Sequence, residues 1–317
     1  MTYWWLAALV TFSAAALIGV IASVTTAALS SYVTRRIERR VPAVRARALL
    51  RLRLFPVLAA AVGGFGVVLP LFIWFEPRST HERVAATLIA GGAIAAWLLA
   101  GMIWRCARAL AATRTLSRTW RVEGARAGKF DTPFPVFVID RPSPAVAVVG
   151  FHRPVLFIAA QLMNECPEDE LRAMIAHECA HVDAADNFKR LLLRMCPTLG
   201  SIGRALEGAW DRASEEAADA SAATRVPALA LPLAQALVRV ARLTPVVPTV
   251  APVSAFHAGG NVETRVRRLL EPIVQPEAET TLPRLIFCFG VATALVTLII
   301  TAPALHQAME SAVAWLP

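Results

Sequence analysis

The sequence has no Cys-x-x-Cys pair and an odd number of cysteines, Cys106, Cys166, Cys179, Cys196 and Cys288. That excludes a disulfide framework, and the five are read as reduced thiols of a cytosol-facing protein. Charge is scarce as well. Only 17% of the residues are charged while 56% are hydrophobic, and the mean hydropathy is +0.54. An ordinary soluble domain is not this apolar, so membrane spans are expected. Acidic residues are outnumbered by basic ones, 23 to 32, giving a net charge of +9. Such an excess can mark a nucleic-acid binder. Here the arginines cluster beside apolar runs, so no direct nucleic-acid binding is expected. No internal repeat is visible, which sets aside a solenoid.

The apolar runs define a layout. Residues 3–30 are almost wholly apolar, with Trp4 and Trp5 at the start, where interfacial aromatics belong. No Lys or Arg precedes this run and it is too long for the core of a signal peptide, so it reads as a retained span. Arg35, Arg36, Arg39, Arg40, Arg45, Arg47, Arg51 and Arg53 follow. Between two spans, that run reads as a cytoplasmic loop obeying the positive-inside rule. Residues 54–75 and 85–104 form the second and third spans, joined by a short charge-balanced loop at 76–83. Arg105, Arg108, Arg114, Arg118, Arg121 and Arg126 mark the next flank as internal again. A fourth span runs over 285–302, before a short external tail. The expected organisation is a membrane domain at 1–108, a cytoplasmic domain at 109–283, and the fourth helix with its tail at 284–317. The amino terminus is expected outside the membrane and the inserted domain on its cytoplasmic side.

The cytoplasmic segment holds short β-rich runs at 135–139, 145–149 and 154–158, punctuated by turns at 140–144 and 150–153. One edge of such a sheet could pair with an extended substrate. Helical patterns follow at 187–195, 204–223, 229–243 and 262–270, with a loop at Gly259-Gly260 and a linker at 272–283.

The stretch His177-Glu178-Cys179-Ala180-His181 organises the rest. It lies in a helix that Pro167 suits at its first position, with Glu168, Asp169 and Glu170 in the first turn at the positive end of the dipole. Residues four apart share a helix face, so His177 and His181 can put two imidazoles on one metal, with Glu178 in reach of a water on it. Catalytic zinc takes three protein ligands and keeps an open position. Glu215 is the candidate third ligand. Asp219, one turn later, can accept a hydrogen bond from the remaining ring nitrogen of a ligand histidine. Glu216 reads as part of a solvated acidic face. Glu178 is the expected general base. Arg212 and His257 are open candidates for the oxyanion donor, each also readable as structural.

Gly150-Phe151-His152-Arg153-Pro154, the helix start from Pro167 to Leu171, His177-Glu178-Cys179-Ala180-His181, Asp186 and Arg212-x-x-Glu215-x-x-Ala218-Asp219 together resemble the M56 peptidases. These are membrane metalloproteases related to the β-lactam sensor-transducers (BlaR1-like). Val262 to Leu270 is similar to a short helix late in their domain. The resemblance covers about 130–272. It implies a gluzincin-like α+β zinc peptidase domain inserted between the third and fourth of four transmembrane helices. It implies Zn2+ on His177, His181 and Glu215, Glu178 as base, and Asp186 beside Asp219 as supports of the ligands. Its transducers cleave cytoplasmic targets, a transcriptional repressor among them. The large external sensor domain of those transducers is not expected here, since only 306–317 follow the last span. Cys166 stands where the family has a capping Ser, and Val182 and Asp183 stand where it has Arg or Lys. The M48 quality-control proteases share His-Glu-x-x-His and Glu-x-x-Ala-Asp, and are the second reading. Gly150-x-x-Arg153-Pro154 and the placement between spans three and four favour M56. A third reading is a signal transducer in which zinc only holds the domain together. The intact Glu178 argues against it, because a structural site needs no base.

Overall fold

The computed structural model describes residues 3–76, 86–128, 130, 132–141, 146–197, 200–243, 253–256 and 262–271. The fourth span, the linker at 272–283, the tail, His257, Gly259, Gly260 and the loop at 77–83 lie outside the described residues. In chain order the helices are α1 Tyr3–Ile37, α2 Pro42–Ala61, α3 Leu69–Phe75 and α4 Ala86–Glu123. A π-helical stretch, Val62–Val68, joins α2 to α3. Then come the strands β1 Ala125–Ala127, β2 Val136–Ile139, β3 Val146–Val149 and β4 Val155–Ala159. The helices α5 Ala160–Glu165, α6 Glu168–Asp183, α7 Asp186–Met195, α8 Gly200–Arg225 and α9 Ala230–Leu243 follow. β5 Val253–Phe256 and α10 Val262–Leu270 complete the described elements.

Among the described residues, three stretches are helical, long and apolar enough to cross a membrane: Tyr3–Ile37, Pro42–Phe75 and Ala86–Glu123. The chain divides into two compact units. One comprises Met1–Thr26, Phe55–Ala100 and Pro276–Pro317; the other comprises Ala27–Leu54 and Gly101–Gln275. In the first unit the helices approach closely over small residues. A Cβ on Gly64 would stand 2.7 Å from the Ala15 Cβ, and one on Gly92 would stand 2.4 Å from Leu9 Cδ1. Ser13 Oγ donates to the carbonyls of Leu9 and Leu88 at 2.7 and 2.8 Å. Small residues and internally satisfied hydroxyls suit helix contacts in hydrocarbon. Trp4, Trp5, Ile21, Val24 and Trp97 are exposed, as lipid-facing side chains would be.

The second unit corrects the reading of the basic run as a loop. α1 continues to Ile37 and α2 starts at Pro42, so most of that run is helical. The positive-inside rule concerns charge, not backbone shape. Ala46 and Leu49 of α2 pack with Leu193, Leu206, Trp210 and Ala213. Arg53, 2% exposed, donates to Glu207 through Nε at 2.9 Å and to the Pro197 carbonyl through Nη2 at 3.0 Å. Arg105, expected only as a flanking charge, donates to the Met195 carbonyl at the negative end of α7.

The sheet order is β1-β2-β4-β3-β5. β2 and β4 run parallel, while the β1–β2, β3–β4 and β3–β5 pairs are antiparallel. β1 and β5 carried no readable sequence signal. β5 covers the outer side of β3, so β1 and β5 form the sheet edges. β3 and β4 are buried at every position, which explains their unbroken apolar runs. On one face Val146, Val148, Leu156 and Ile158 join Met174 of α6 and Leu233 and Leu237 of α9. On the other, Val149, Val155 and Phe157 meet Trp120 of α4. The Trp120 and Phe157 rings stand edge-on at 5.2 Å. Each such aliphatic side chain contributes about 1.5–3 kcal/mol on burial, and this fixes α6 against the sheet.

Candidate metal centre

Pro167 is the N-cap of α6, one position before the first-turn place expected of it, and Cys166 is the C-cap of α5. The first-turn carboxylates are present, but Glu170 does more than face the dipole. It is 2% exposed, and Arg239 of α9 donates to both its oxygens, at 2.7 and 2.9 Å. α6 is thereby pinned at its start. Further along, it turns His177, Glu178 and His181 inward, all at most 2% exposed.

α6 stops at Asp183, and Ala185 adopts a left-handed conformation (φ 55°, ψ 37°) that starts α7. The reversal carries Asp186 back to His181. His181 Nδ1 and Asp186 Oδ2 are 2.8 Å apart. Asp186 also accepts from Ser214 Oγ at 2.7 Å and from Lys189 Nζ at 2.8 Å. Asn187 Nδ2 donates to the carbonyls of Val148 and Gly150, both at 3.0 Å, and so ties α7 to the end of β3. Gly150 has φ +95°, a conformation that favours glycine there.

α8 supplies Glu215 and Asp219, one turn apart. Asp219 Oδ1 lies 2.9 Å from His177 Nδ1. Each imidazole therefore faces an acceptor-only carboxylate through Nδ1, which places a proton there and turns Nε2, the nitrogen a metal would take, towards the inside of the site. Glu215 stands where both Nε2 atoms point. Its Oε2 is 3.4 Å from His177 Nε2, and its Oε1 is 3.4 Å from His181 Nε2. One ligand atom from each of the three residues lies within 4.8 Å of the others. Two atoms each about 2.0–2.1 Å from a tetrahedral zinc stand roughly 3.4 Å apart, which is the spacing of both glutamate–imidazole pairs, and two imidazoles with one carboxylate are a donor set that suits that ion.

The charges agree with the geometry. Burial would lower the His181 pKa, yet the Glu215 and Asp186 carboxylates lift it to about 9. Burial also works against His177, but Asp219 and Glu215 raise it. Burial favours the neutral form of Glu215, and the two imidazoles with Arg265 overcome this and hold its carboxyl well below the ordinary range. Asp186 is held low by His181 and Lys189, again against burial. The centre is built to keep carboxylates ionised and to gather positive charge between them.

Two arginines here carry no sequence signal beyond a basic helix. Arg265 of α10 donates to both Asp219 oxygens, from Nε at 2.6 Å and from Nη2 at 2.8 Å. Arg190 of α7 reaches Glu215. Glu216 is not a solvated face: its side chain is 11% exposed and pairs with Arg45 at 3.0 Å and with Arg268. A helical repeat cannot show partners supplied from residues this distant. Arg212 is exposed, next to Gly208.

Residues 112–243 match the model of peptidase family M48. The match holds His177, Glu178, His181, Glu215 and Asp219, and ends before Arg265. M48 peptidases depend on zinc, and the match with the membrane-capable helices supports a membrane metalloprotease. No curated protein matches the chain.

Proposed function

We propose that the chain is a membrane-embedded zinc endopeptidase in which His177, His181 and Glu215 bind the metal and Glu178 is the general base. The observation that carries this reading is the convergence of those three ligands beside the wholly buried Glu178. A bound zinc would supply Lewis acidity and bring the pKa of water towards about 7. Asp186 and Asp219 hold the imidazoles so that Nε2 faces inward. Glu178 takes the proton of the attacking water as oxygen adds to the scissile carbonyl carbon, then delivers it to the leaving amide nitrogen as the C–N bond breaks. The domain lies at the cytoplasmic face of a bacterial inner membrane, between spans three and four, with the amino terminus outside.

The substrate is a cytoplasmic or membrane-associated protein. The M48 match favours a quality-control role on membrane proteins. Gly150-x-x-Arg153-Pro154 and the domain's position favour the M56-like role, cleavage of one regulatory target such as a repressor. The test is hydrolysis of an unfolded protein by the full chain in detergent, comparing wild type with Glu178→Gln at equal zinc content. Turnover should fall by about 10²–10⁴-fold; equal turnover removes the enzyme reading. Cleaved-protein profiling of cells carrying each form separates the roles, by many membrane targets or one regulator.

A further inference from the structure

Glu215 is flanked by cations in a way the metal reading does not by itself require. Its Oε1 accepts from Arg190 Nη2 at 3.2 Å, and its Oε2 stands 3.3 Å from Arg265 Nη1. The same two oxygens each face one imidazole at 3.4 Å. Every oxygen of this carboxylate thus has one guanidinium and one imidazole beside it. The two guanidinium groups come from different helices, α7 and α10. Arg265 is already committed to Asp219 through two hydrogen bonds. Arg190 is not so committed. Its Nε is 3.6 Å from Asp211, whose side chain is 56% exposed, and its guanidinium lies over the Trp210 ring at 5.6 Å. Its Nη1 is buried and has no hydrogen-bond partner among the described residues. An arginine placed only to join α7 to α8 would have its buried donors met more fully. Held over the Trp210 ring, it is instead aimed at one carboxylate oxygen.

We propose that Arg190 is a positioning residue for the third metal ligand, fixing the rotamer of Glu215 through Oε1 so that the carboxylate faces both Nε2 atoms before any cation arrives. This rests on the zinc reading above. It also explains how a carboxylate on a long helix is held in place with no partner on α8 itself. A planar fork of rigidly spaced donors suits the task better than a flexible ammonium.

The experiment measures zinc affinity by chelator competition, the visible spectrum of the Co2+-loaded form, and thermal stability of the metal-free form. It uses the full chain in detergent as wild type, Arg190→Gln and Arg190→Lys. Zinc affinity should fall by about 10–100-fold in Arg190→Gln and less in Arg190→Lys, with a changed Co2+ spectrum in Arg190→Gln. A merely structural Arg190 would lower metal-free stability and leave the spectrum and affinity of the folded fraction as in wild type, which overturns the proposal. Failure of wild type itself to take up zinc would instead sink the metal reading.

Discussion

His181 Nδ1 and Asp186 Oδ2 are 2.8 Å apart in the protein interior, brought together by the left-handed turn at Ala185. Six residues of sequence thus hold both a candidate metal-binding imidazole and the carboxylate that orients it. Asp186→Asn keeps the shape but can present a donor where an acceptor is needed. Zinc affinity, measured by chelator competition, should fall by about 10–100-fold, with a smaller loss of thermal stability.

Ala185 itself is strained. A non-glycine residue in this region costs about 1–2 kcal/mol. Ala185→Gly should leave stability unchanged or raise it by up to about 1 kcal/mol, since glycine also adds entropy to the unfolded chain. Ala185→Val should lower it by about 1–2 kcal/mol, because a β-branched residue is a worse fit at positive φ. Denaturant midpoints in detergent measure both.

The pair Arg53–Glu207 should respond unequally to its two truncations. Arg53 is 2% exposed on its side chain, whereas Glu207 is 34% exposed. Arg53→Met leaves a carboxylate that water can reach, and should cost about 1–3 kcal/mol. Glu207→Met leaves a buried guanidinium whose remaining hydrogen bond among the described residues is to the Pro197 carbonyl, and should cost about 3–5 kcal/mol. Equal losses would mean that α2 is not seated on α8 through this cation.

Cys166 and Cys179 should react slowly while the chain is folded. Burial, reinforced by Glu170, raises Cys166 to about 11, and burial with Asp183 raises Cys179 to about 11. Raised values keep the neutral thiol, and the thiolate is the nucleophile. At pH 9, where an ordinary thiol is about half ionised, both should be alkylated by iodoacetamide roughly 50-fold more slowly than in the unfolded chain. The difference should shrink as the pH approaches 11. Peptide mapping of the alkylated sites gives the rates.

The candidate metal centre was legible because its parts are local. His177 and His181 share one helix face, as do Glu215 and Asp219, so period and spacing sufficed. Helix α10 was equally readable from its amphipathic pattern. Strands β2, β3 and β4 announced themselves as apolar runs bounded by Gly and Pro. The remainder depends on pairing at long range. β1 is only three residues long, and β5 joins β3 from over a hundred residues away. Arg53, Arg105, Arg190 and Arg265 looked alike as basic residues, and only the fold distinguishes a flanking charge from a buried partner. Glu216 was misjudged for the same reason, since its cations come from α2 and α10.

The central claim is that three side chains from two helices hold one zinc ion, and metal analysis of the purified chain tests it most directly. Wild type and Glu178→Gln should each retain about one zinc per chain, while Glu215→Ala should lose it on dialysis against a weak chelator. A zinc-free wild type, or equal zinc in Glu215→Ala, would contradict the account.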